Sequence, residues 1–386
     1  MKITRIEAVP VNVPLSTSMT TSHGLHSTSP YVIVQVHTDD GLVGLGEATV
    51  TPRWSGETSH GAVAVIHGLI APVLKGEDPR RISHLRRQID SVVRLNPFTK
   101  AGVEMALWDI AGKAAGVPVY QLLGGKFRDE MPIRMVVGSI DIPQAVTLAR
   151  KFLESGVKCL KVKVGLNPDQ DVARVRAIRE LAGPDIPISV DANCGWTVLQ
   201  ARQTLQRLRE FNILFAEQPI ATADRSEMAA LRRATDVPIM ADESAFTSSD
   251  IWHLTMERAV DIISVYPGKN GGIQSTVEAV CAAKAAGIPC AMGSNLELGI
   301  GTAAMLHLGA ALPTIASELY PGDFIGPLYH EADLIKTPLT LGPAAARVPE
   351  GPGLGVELDT EQLEKYRDRS GVAQSTGSTT SVTFEG

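Results

Sequence analysis

The hydrophobic and polar positions follow two different patterns, and the change falls near residue 130. Apolar residues alternate with polar ones at 2–14 and again at 31–50, which predicts strands; Asp40-Gly41 turns the second segment into a hairpin. The polar segment between them, residues 16–29, predicts a mobile loop. Helical spacing follows at 58–74, 79–94 and 98–115. Strands and helices grouped in blocks predict an α+β domain.

After residue 130, short apolar runs alternate with stretches of helical spacing, which is typical of a parallel sheet. Eight such units over about 200 residues favour a closed (β/α)8-type barrel. A doubly wound open sheet is the rival, but the glycine-rich phosphate turn that usually opens one is missing. The eight runs are MPIRMVVGS, CLKVKVG, IPISVDAN, ILFAEQP, VPIMADES, DIISVYPG, IPCAMGSN and PTIASELY.

These patterns divide the chain into four parts. We expect an α+β domain at 1–130 and a barrel at 131–345. The segment 346–368 contains a late strand pattern, GPGLGVELD, and is expected to return to the first domain. The end of the chain, 369–386, is rich in Ser, Thr and Gly and predicts a disordered tail.

Two lysines stand on the polar face of the second barrel run. Lys161 and Lys163 point the same way along the strand and are about 7 Å apart. If that face lies inside the barrel, the like charges repel each other, and a lysine acts as a base when its pKa falls towards about 7–8. The alternative is that both lysines form salt bridges to acidic neighbours with no metal present.

Acidic residues end the next three runs. Asp191, Glu217, Asp242, Lys269 and Glu297 follow Lys163 at intervals of 25 to 28 residues, which is one strand–helix unit each. Charged groups in this phase meet at the carboxyl end of a barrel, where catalytic residues lie. Three carboxylates make an all-oxygen site that suits Mg²⁺, with Mn²⁺ as an alternative. Taken singly, each could instead be a helix cap.

Composition and charge narrow the function classes. The chain has 386 residues and a net charge of −6, which argues against nucleic-acid and anionic-membrane partners. The N-terminus lacks the pattern of a signal peptide, and no apolar run approaches the roughly 18 residues of a membrane span. The four cysteines have no CxxC spacing, so a reduced, cytoplasmic protein is expected.

Several motifs together resemble the enolase superfamily, and most of all its muconate lactonizing enzyme (muconate cycloisomerase) subgroup. They are LKVKVG, SVDAN, FAEQP, IMADES, GKNGG and NLELGIGT, with DDGLVGLGEA and NPFTKAGVEMALWDIAGK before them and GLGVELD after them. The resemblance covers nearly the whole chain before the tail. It implies a (β/α)7β modified TIM barrel with an N-terminal α+β capping domain, and a homo-oligomer between dimer and octamer.

The resemblance also implies roles for residues that match its motifs. Asp191, Glu217 and Asp242 match metal ligands, and Lys163 matches the acid/base on one face of the substrate. Lys269 matches the lysine on the opposite face. Lys161 matches an auxiliary lysine, and Glu297 matches a carboxylate that lines the site. Substrate contacts are expected from Ser22, His23, Trp54, Asn193 and Asp323.

The expected reaction is proton transfer at the carbon α to a small carboxylate, through an enolate. Muconate-type cycloisomerisation leads, and racemisation or epimerisation of N-acyl amino acids, dipeptides or related carboxylates is the alternative. The dehydratase and mandelate-racemase branches of the superfamily that the chain resembles use a histidine near the sixth or seventh strand. No histidine stands near the sixth or seventh run here, so the resemblance implies that sugar-acid dehydration is disfavoured. Dipeptide epimerases of the subgroup carry Asp-x-Asp at the eighth strand, whereas here Asp323 is followed by Ile325. A non-catalytic barrel is disfavoured because both lysines and all three carboxylates are present.

Overall fold

The computed structural model describes residues 1–22, 24–222 and 225–370, so the predicted tail lies almost wholly outside the described residues. Within the described ranges, no helix is both long and apolar enough to cross a membrane. The N-terminal part is a three-stranded antiparallel sheet in the order β1-β2-β3, covered by helices. Its elements are β1 Ile3–Thr21, β2 Gly24–Thr38, β3 Val43–Ala48, α1 Pro52–Ser55, α2 Ser59–Val65, a π-helical turn Ile66–Ile70, α3 Ala71–Leu74, α4 Ile82–Val92, α5 Pro97–Ala115 and α6 Val119–Leu122.

The loop predicted at 16–29 is wrong. β1 continues to Thr21, β2 begins at Gly24, and the two strands pair across Thr20 and Leu25 after a register shift between Pro14 and Met19. Threonine suits an extended backbone, and the buried side chain of Met19 anchors this extension. The segment is therefore a long hairpin that reaches towards the barrel.

The second part is the parallel barrel sheet, in the order β11-β10-β9-β8-β7-β6-β5. A helix follows each of its seven strands. The elements are β4 Glu130–Pro132, β5 Met135–Val137, α7 Ile142–Glu154, β6 Leu160–Lys163, α8 Pro168–Ala182, β7 Ile188–Asp191, α9 Val198–Leu208, a 3₁₀ turn Arg209–Phe211, β8 Ile213–Glu217, α10 Arg225–Arg233, β9 Ile239–Ala241, α11 Ser248–Met256, β10 Ile262–Val265, α12 Pro267–Asn270, α13 Ile273–Ala285, β11 Cys290–Met292, α14 Gly299–Ala311, a 3₁₀ turn Gly326–Tyr329, β12 Ala345–Arg347 and α15 Thr360–Tyr366.

The eighth predicted run is not a regular strand. Ile315 forms a single bridge to Cys290, and Gly322 forms another to Ile133. The segment between them therefore joins β11 to Ile133, two residues before β5, and closes the ring. An irregular eighth element lets the chain turn inward, and Asp323 follows directly after the closing bridge.

Helix caps fix where the barrel helices begin. Asp141, Asn167, Thr197 and Thr247 each accept a hydrogen bond from a backbone N–H in the first turn of α7, α8, α9 and α11. Such caps satisfy N–H groups that a helix leaves unpaired. They fix the residue at which each helix begins after its strand, and so they set the length of each strand–helix connection.

Two buried carboxylates of the N-terminal part bind the N-termini of barrel helices. Glu47 accepts from the N–H groups of Leu298 and Gly301 at 2.7 and 2.9 Å. Glu104 accepts from Ile273 and Gln274 at 2.6 and 2.8 Å. A carboxylate at a helix N-terminus satisfies unpaired donors and interacts favourably with the helix dipole. These contacts fix the N-terminal part over the barrel mouth.

Close approach of neighbouring atoms explains two glycines, one within the N-terminal part and one at its contact with the barrel. A Cβ at Gly46 would lie 1.8 Å from the carbonyl oxygen of Gly102, so α5 packs directly on β3. A Cβ at Gly272 would lie 2.4 Å from Glu104 Oε2, and φ there is +127°. Only glycine meets both demands without strain.

Contacts cross the predicted domain boundaries. β4 pairs with β12, so the chain near residue 130 is hydrogen-bonded to the chain near 345. Beyond β12, the N–H of Leu354 donates to Asp109 on α5, and Arg367 forms a bridge to Val11 on β1. The division at 130, 345 and 368 stays a prediction.

His307 on α14 is a buried histidine at the contact between the two parts. It is 0% exposed, its Nδ1 accepts from the N–H of Tyr120 at 3.2 Å, and its ring packs on the Tyr120 ring. Its Nε2 has no partner within the described part of the chain. Burial lowers the pKa of His307 to about 4.

We predict that this histidine makes the protein acid-sensitive. The unfolded state binds more protons between about pH 6.5 and 4, so the free energy of unfolding falls as the pH drops through that range. His307→Gln abolishes this contribution. The difference in unfolding free energy between wild type and variant should fall by about 2 kcal/mol from pH 7 to pH 5, measured by urea denaturation. His67→Gln makes the same substitution at an exposed position and is the control. If the difference in unfolding free energy between wild type and His307→Gln changes with pH no more than the difference for the control does, the prediction is wrong.

Candidate active site

Strand register brings the predicted charged residues to one end of the barrel. Lys163 pairs with Asp191 across β6 and β7, and Asp191 pairs with Glu217 across β7 and β8. Glu217 pairs with Met240, two residues before Asp242. All of these positions lie at the carboxyl ends of parallel strands, where a barrel holds its active site.

A cavity of about 390 Å³ opens at this end of the barrel. Lys161, Lys163, Asp191, Glu217 and Asp242 line its barrel side. The N-terminal part covers it with Met19, Thr21, Thr28, Ser29, Pro30, Thr49, Thr51, Pro52, Arg53 and Trp54. Ligand pockets commonly form at such a contact between domains.

Lys163 reaches this cavity. Its side chain is 11% exposed, and its ammonium donates to Asp191 Oδ2 at 2.6 Å and to Asn193 Oδ1 at 2.9 Å. The amide of Asn193 is fixed in turn, because its Nδ2 donates to Glu243 Oε1 at 3.0 Å. The lysine is therefore held in one position at the cavity wall.

Lys161 lies deeper and is surrounded by carboxylates. Its ammonium is 2.6 Å from Asp323, 3.1 Å from Glu217 and 3.4 Å from Asp191. Burial lowers the pKa of Lys161, but the attraction of these carboxylates outweighs it and raises the pKa far above the ordinary value. In this structure Lys161 is therefore a positive charge that is paired with three carboxylates.

Lys269 is buried behind Asp242. Its side chain is 0% exposed and is absent from the cavity lining. Its ammonium donates to Asp242 Oδ1 at 2.7 Å, to the Asp242 carbonyl at 2.9 Å and to the Ser264 carbonyl at 2.7 Å. All three ammonium protons are thus occupied. Lys163 and Lys269 flank the carboxylates from two sides, but only Lys163 faces the cavity.

Burial and neighbouring charges shift the pKa values of two of the three carboxylates in opposite directions. Burial raises the pKa of Glu217 to about 7; Asp191 and Asp242 raise it as well, while Lys161 and Arg134 lower it. Burial also raises the pKa of Asp191, but Lys163 and Lys161 outweigh it and hold that pKa below its ordinary value. Both carboxylates are thus compensated by cationic side chains in this structure.

A divalent cation fits the chemistry of these groups. Among the described residues, no three Asp, Glu, His or Cys side chains already converge as a metal-binding group. Each of the three carboxylates instead meets an ammonium ion. Three buried carboxylates at one end of the barrel are nevertheless an oxygen-only donor set, which suits Mg²⁺ or Mn²⁺. Asp191, Glu217 and Asp242 are the residues that would hold it.

Glu297 stands apart from the cavity. Ser294, Asn295 and Leu296 line it, but Glu297 does not. Its carboxylate accepts from the Ser294 hydroxyl at 2.6 Å and from the Asn295 N–H, and it is 1% exposed. In this structure Glu297 holds the loop that lines the site.

The expected substrate contacts fall into different places. Trp54, Asn193 and Asp323 line the cavity, whereas the Ser22 hydroxyl donates to the Asn193 carbonyl at 2.7 Å. His23 lies outside the described residues. Asp323 binds Lys161 and Arg134 and is 2% exposed. The β1–β2 hairpin thus contacts the backbone beside the carboxylates.

Sequence reasoning missed two buried residues of the site. Arg134 is 0% exposed and pairs with Asp323. The signal in the sequence was a lone arginine within an apolar run. Arg134 stands on the same strand face as Val136, and Val136 lines the cavity. Gln218, also 0% exposed, accepts from the N–H groups of Asp242 and Ser244 and fixes the turn that carries Asp242. The signal for Gln218 was its place in the FAEQP motif, directly after Glu217.

A second cavity of about 690 Å³ adjoins the first. Arg53 and Trp54 line both cavities, and the second also contains Cys194 and Glu243 from the loops that follow β7 and β9. The ring of Trp54 meets the ring of Tyr266 edge to face, with 6.1 Å between centroids. Trp54 therefore lies at the boundary between the two cavities.

Two family descriptions match most of the chain. Residues 2–124 match "Mandelate racemase / muconate lactonizing enzyme, N-terminal domain", and residues 144–363 match "Enolase C-terminal domain-like". Together they span the N-terminal part and the barrel. The fold class predicted from the sequence, a modified TIM barrel with an N-terminal capping domain, is confirmed by these matches and by solved structures of the same architecture.

Known proteins of three activities are similar over nearly their full length. N-succinyl-L-Arg/Lys racemase of Bacillus cereus is 32% identical over 95% of this chain and 98% of its own. Muconate cycloisomerase 1 of Rhodococcus opacus is 34% identical, with the same two coverages of 95% and 98%. The structure of a dipeptide epimerase from Cytophaga hutchinsonii, complexed with Mg and D-Ala-L-Val, is 31% identical, covers 95% of this chain and 98% of its own, and has a TM-score of 0.90.

Proposed function

The chain belongs to the mandelate racemase/muconate lactonizing enzyme family of the enolase superfamily and is an isomerase, and we propose that it is a divalent-metal-dependent cycloisomerase of the muconate type. Its substrate is a small unsaturated carboxylate that closes to a lactone. The family match supports the reaction class. The difference in exposure between Lys163 and Lys269 supports cycloisomerisation among the reactions of that class.

The observation that carries the proposal is the unequal access of Lys163 and Lys269. Lys163 faces the cavity, whereas Lys269 is 0% exposed and all of its ammonium protons are bound. Lactone closure needs proton transfer on one face of the substrate. Racemisation needs an acid and a base on opposite faces. A single accessible lysine fits the first requirement better.

In the proposed reaction, one carboxylate oxygen of the substrate adds to a carbon–carbon double bond and forms the ring C–O bond. The electron pair of that double bond moves to the carbon α to the other carboxylate, and Lys163 delivers a proton there. A divalent cation held by Asp191, Glu217 and Asp242 would stabilise the negative charge that develops on that carboxylate. Lys161 adds a fixed positive charge beside it.

Racemisation of an N-acylated amino acid is the second candidate. Lys163 binds Asp191 and Lys269 binds Asp242, so an ammonium group lies on each side of the carboxylates. If substrate and cation draw Asp242 away from Lys269, two lysines could exchange a proton across the α-carbon. The Bacillus cereus racemase and the Rhodococcus opacus muconate cycloisomerase are similar to the same 95% of this chain, so the extent of similarity supports both candidates equally.

We predict that Mg²⁺ stabilises the folded protein through the carboxylates. At a hundredfold excess over Kd, the melting temperature of the wild type should rise by roughly 3 °C, because the cation binds only the folded state. Glu217→Gln should abolish this rise, and chelation should abolish turnover of the wild type. Glu210→Gln, the same substitution at an exposed position, should behave as wild type. An equal rise in Glu217→Gln, or none in wild type, would contradict metal binding at this site.

We predict that the two lysines differ in their effect on lactonisation. Lys163→Met should lower kcat by roughly 10²- to 10⁴-fold, the usual contribution of a general acid or base. Lys269→Met should lower kcat much less, since this lysine supports Asp242 without reaching the substrate. The readout is the loss of diene absorbance of cis,cis-muconate and of ring-substituted analogues.

Lys158→Met, at an exposed position just before β6, is the matched control and should retain wild-type activity. Circular dichroism checks that the variants fold. Equal losses of kcat in Lys163→Met and Lys269→Met would contradict the assignment of the proton transfer to Lys163 alone. Absence of lactonisation by the wild type would contradict the cycloisomerase proposal.

A further inference from the structure

Arg134 is the largest of the fully buried side chains in the described parts of the chain. It stands immediately before β5, on the face that turns into the barrel, and its guanidinium lies over the Phe215 ring at 5.1 Å. Its Nη1 has no hydrogen-bond partner among the described residues. Burying an arginine costs much free energy, and a buried ion pair is weak support for stability by itself. Stability alone therefore does not account for the burial of Arg134.

Arg134 binds both carboxylate oxygens of Asp323. Its Nε donates to Oδ1 at 2.6 Å and its Nη2 donates to Oδ2 at 2.8 Å, a two-pronged contact that matches carboxylate geometry. Lys161 adds a third bond, to Oδ2 at 2.6 Å. Burial raises the pKa of Asp323, but Arg134 and Lys161 outweigh it and hold that pKa near 2.

Asp323 nevertheless lines the catalytic cavity. A carboxylate in this position would ordinarily attract a cationic group of a bound ligand. Here its two oxygens are bound by two cations, so little attraction remains for a third. Ile325, the next cavity-lining residue along the chain, is apolar and offers no acceptor in its side chain.

We propose that Arg134 is a specificity-determining residue: by occupying Asp323, it makes the pocket select α-carboxylates that carry no ammonium group and reject those that do. The selected class comprises acids whose nitrogen is acylated and acids without an amine. The inference rests on the proposed function in one respect, namely that the pocket binds a small carboxylate. It applies to the lactonising and to the N-acyl racemising candidate alike.

Charge balance around the pocket points the same way. Arg134 is also 3.5 Å from Glu217, so its charge acts on the carboxylate cluster as well as on Asp323. Removing it would leave Asp323 with Lys161 as its only cationic neighbour among the ion pairs described. The pocket would lose attraction for an anionic ligand and gain attraction for a cationic group.

The test compares two ligands that differ only in acetylation of the N-terminal amine, which replaces the ammonium group by a neutral acetamide. L-Ala-L-Val and N-acetyl-L-Ala-L-Val are titrated into the Mg²⁺-loaded full-length protein by calorimetry. Wild type should bind the acetylated ligand at least about tenfold more tightly, a factor in the range of one charge-assisted hydrogen bond. Arg134→Met should shift this ratio by about tenfold or more towards the free dipeptide.

The double variant Arg134→Met/Asp323→Asn is the matched control. It removes both charges, so the shift towards the free dipeptide should disappear. Thermal melts establish that each variant folds, and if Arg134→Met does not fold, the wild-type ratio alone still tests the proposal. A wild-type ratio within about threefold of one, absence of binding of both ligands, or an unchanged ratio in folded Arg134→Met would each overturn it.

Failure here is distinguishable from failure of the proposed function. If the wild type lactonises or racemises an acid but binds both probes equally, the role of Arg134 is refuted and the function stands. If the binding preference holds but no acid is turned over, the function is refuted and the role of Arg134 stands.

Discussion

The pairing of buried charges at the barrel mouth is the constraint on which the rest of the site depends. Asp191, Glu217, Asp242 and Asp323 lie at strand ends where water is largely excluded, and each meets at least one lysine or arginine. Uncompensated charges in such a place would cost more free energy than the fold can supply. One of the ammonium groups that stabilise the carboxylates, that of Lys163, is also the group to which we assign the proton transfer.

That pairing depends in turn on the cover. Glu47 and Glu104 bind the first turns of α14 and α13, and Gly46 and Gly272 allow the backbones to approach closely enough for this. Under the cover these charged side chains are buried, which strengthens the charge interactions between them. The β1–β2 hairpin and Trp54 complete the cover, so the N-terminal part both lines the cavity and shields the charges below it.

Much of this could be predicted from the sequence, because strand–helix units of 25 to 28 residues bring Lys163, Asp191, Glu217 and Asp242 to one end of a barrel. What could not be predicted depends on contacts between distant parts of the chain. Arg134 and its partner Asp323 are 189 residues apart, and neither has a local motif. The burial of Lys269 depends on two carbonyl groups that periodicity does not reveal. The hairpin at 16–29 is polar in sequence but is held by pairing, so composition alone misidentified it.

The central claim is that Lys163 alone moves a proton at the carbon α to a carboxylate held at this site. The most direct test is lactonisation of muconate in D₂O, followed by NMR analysis of the product. The account predicts one deuterium at the α-carbon, in a single configuration. Deuterium distributed over both configurations, or a product formed without deuterium at that carbon, would contradict it.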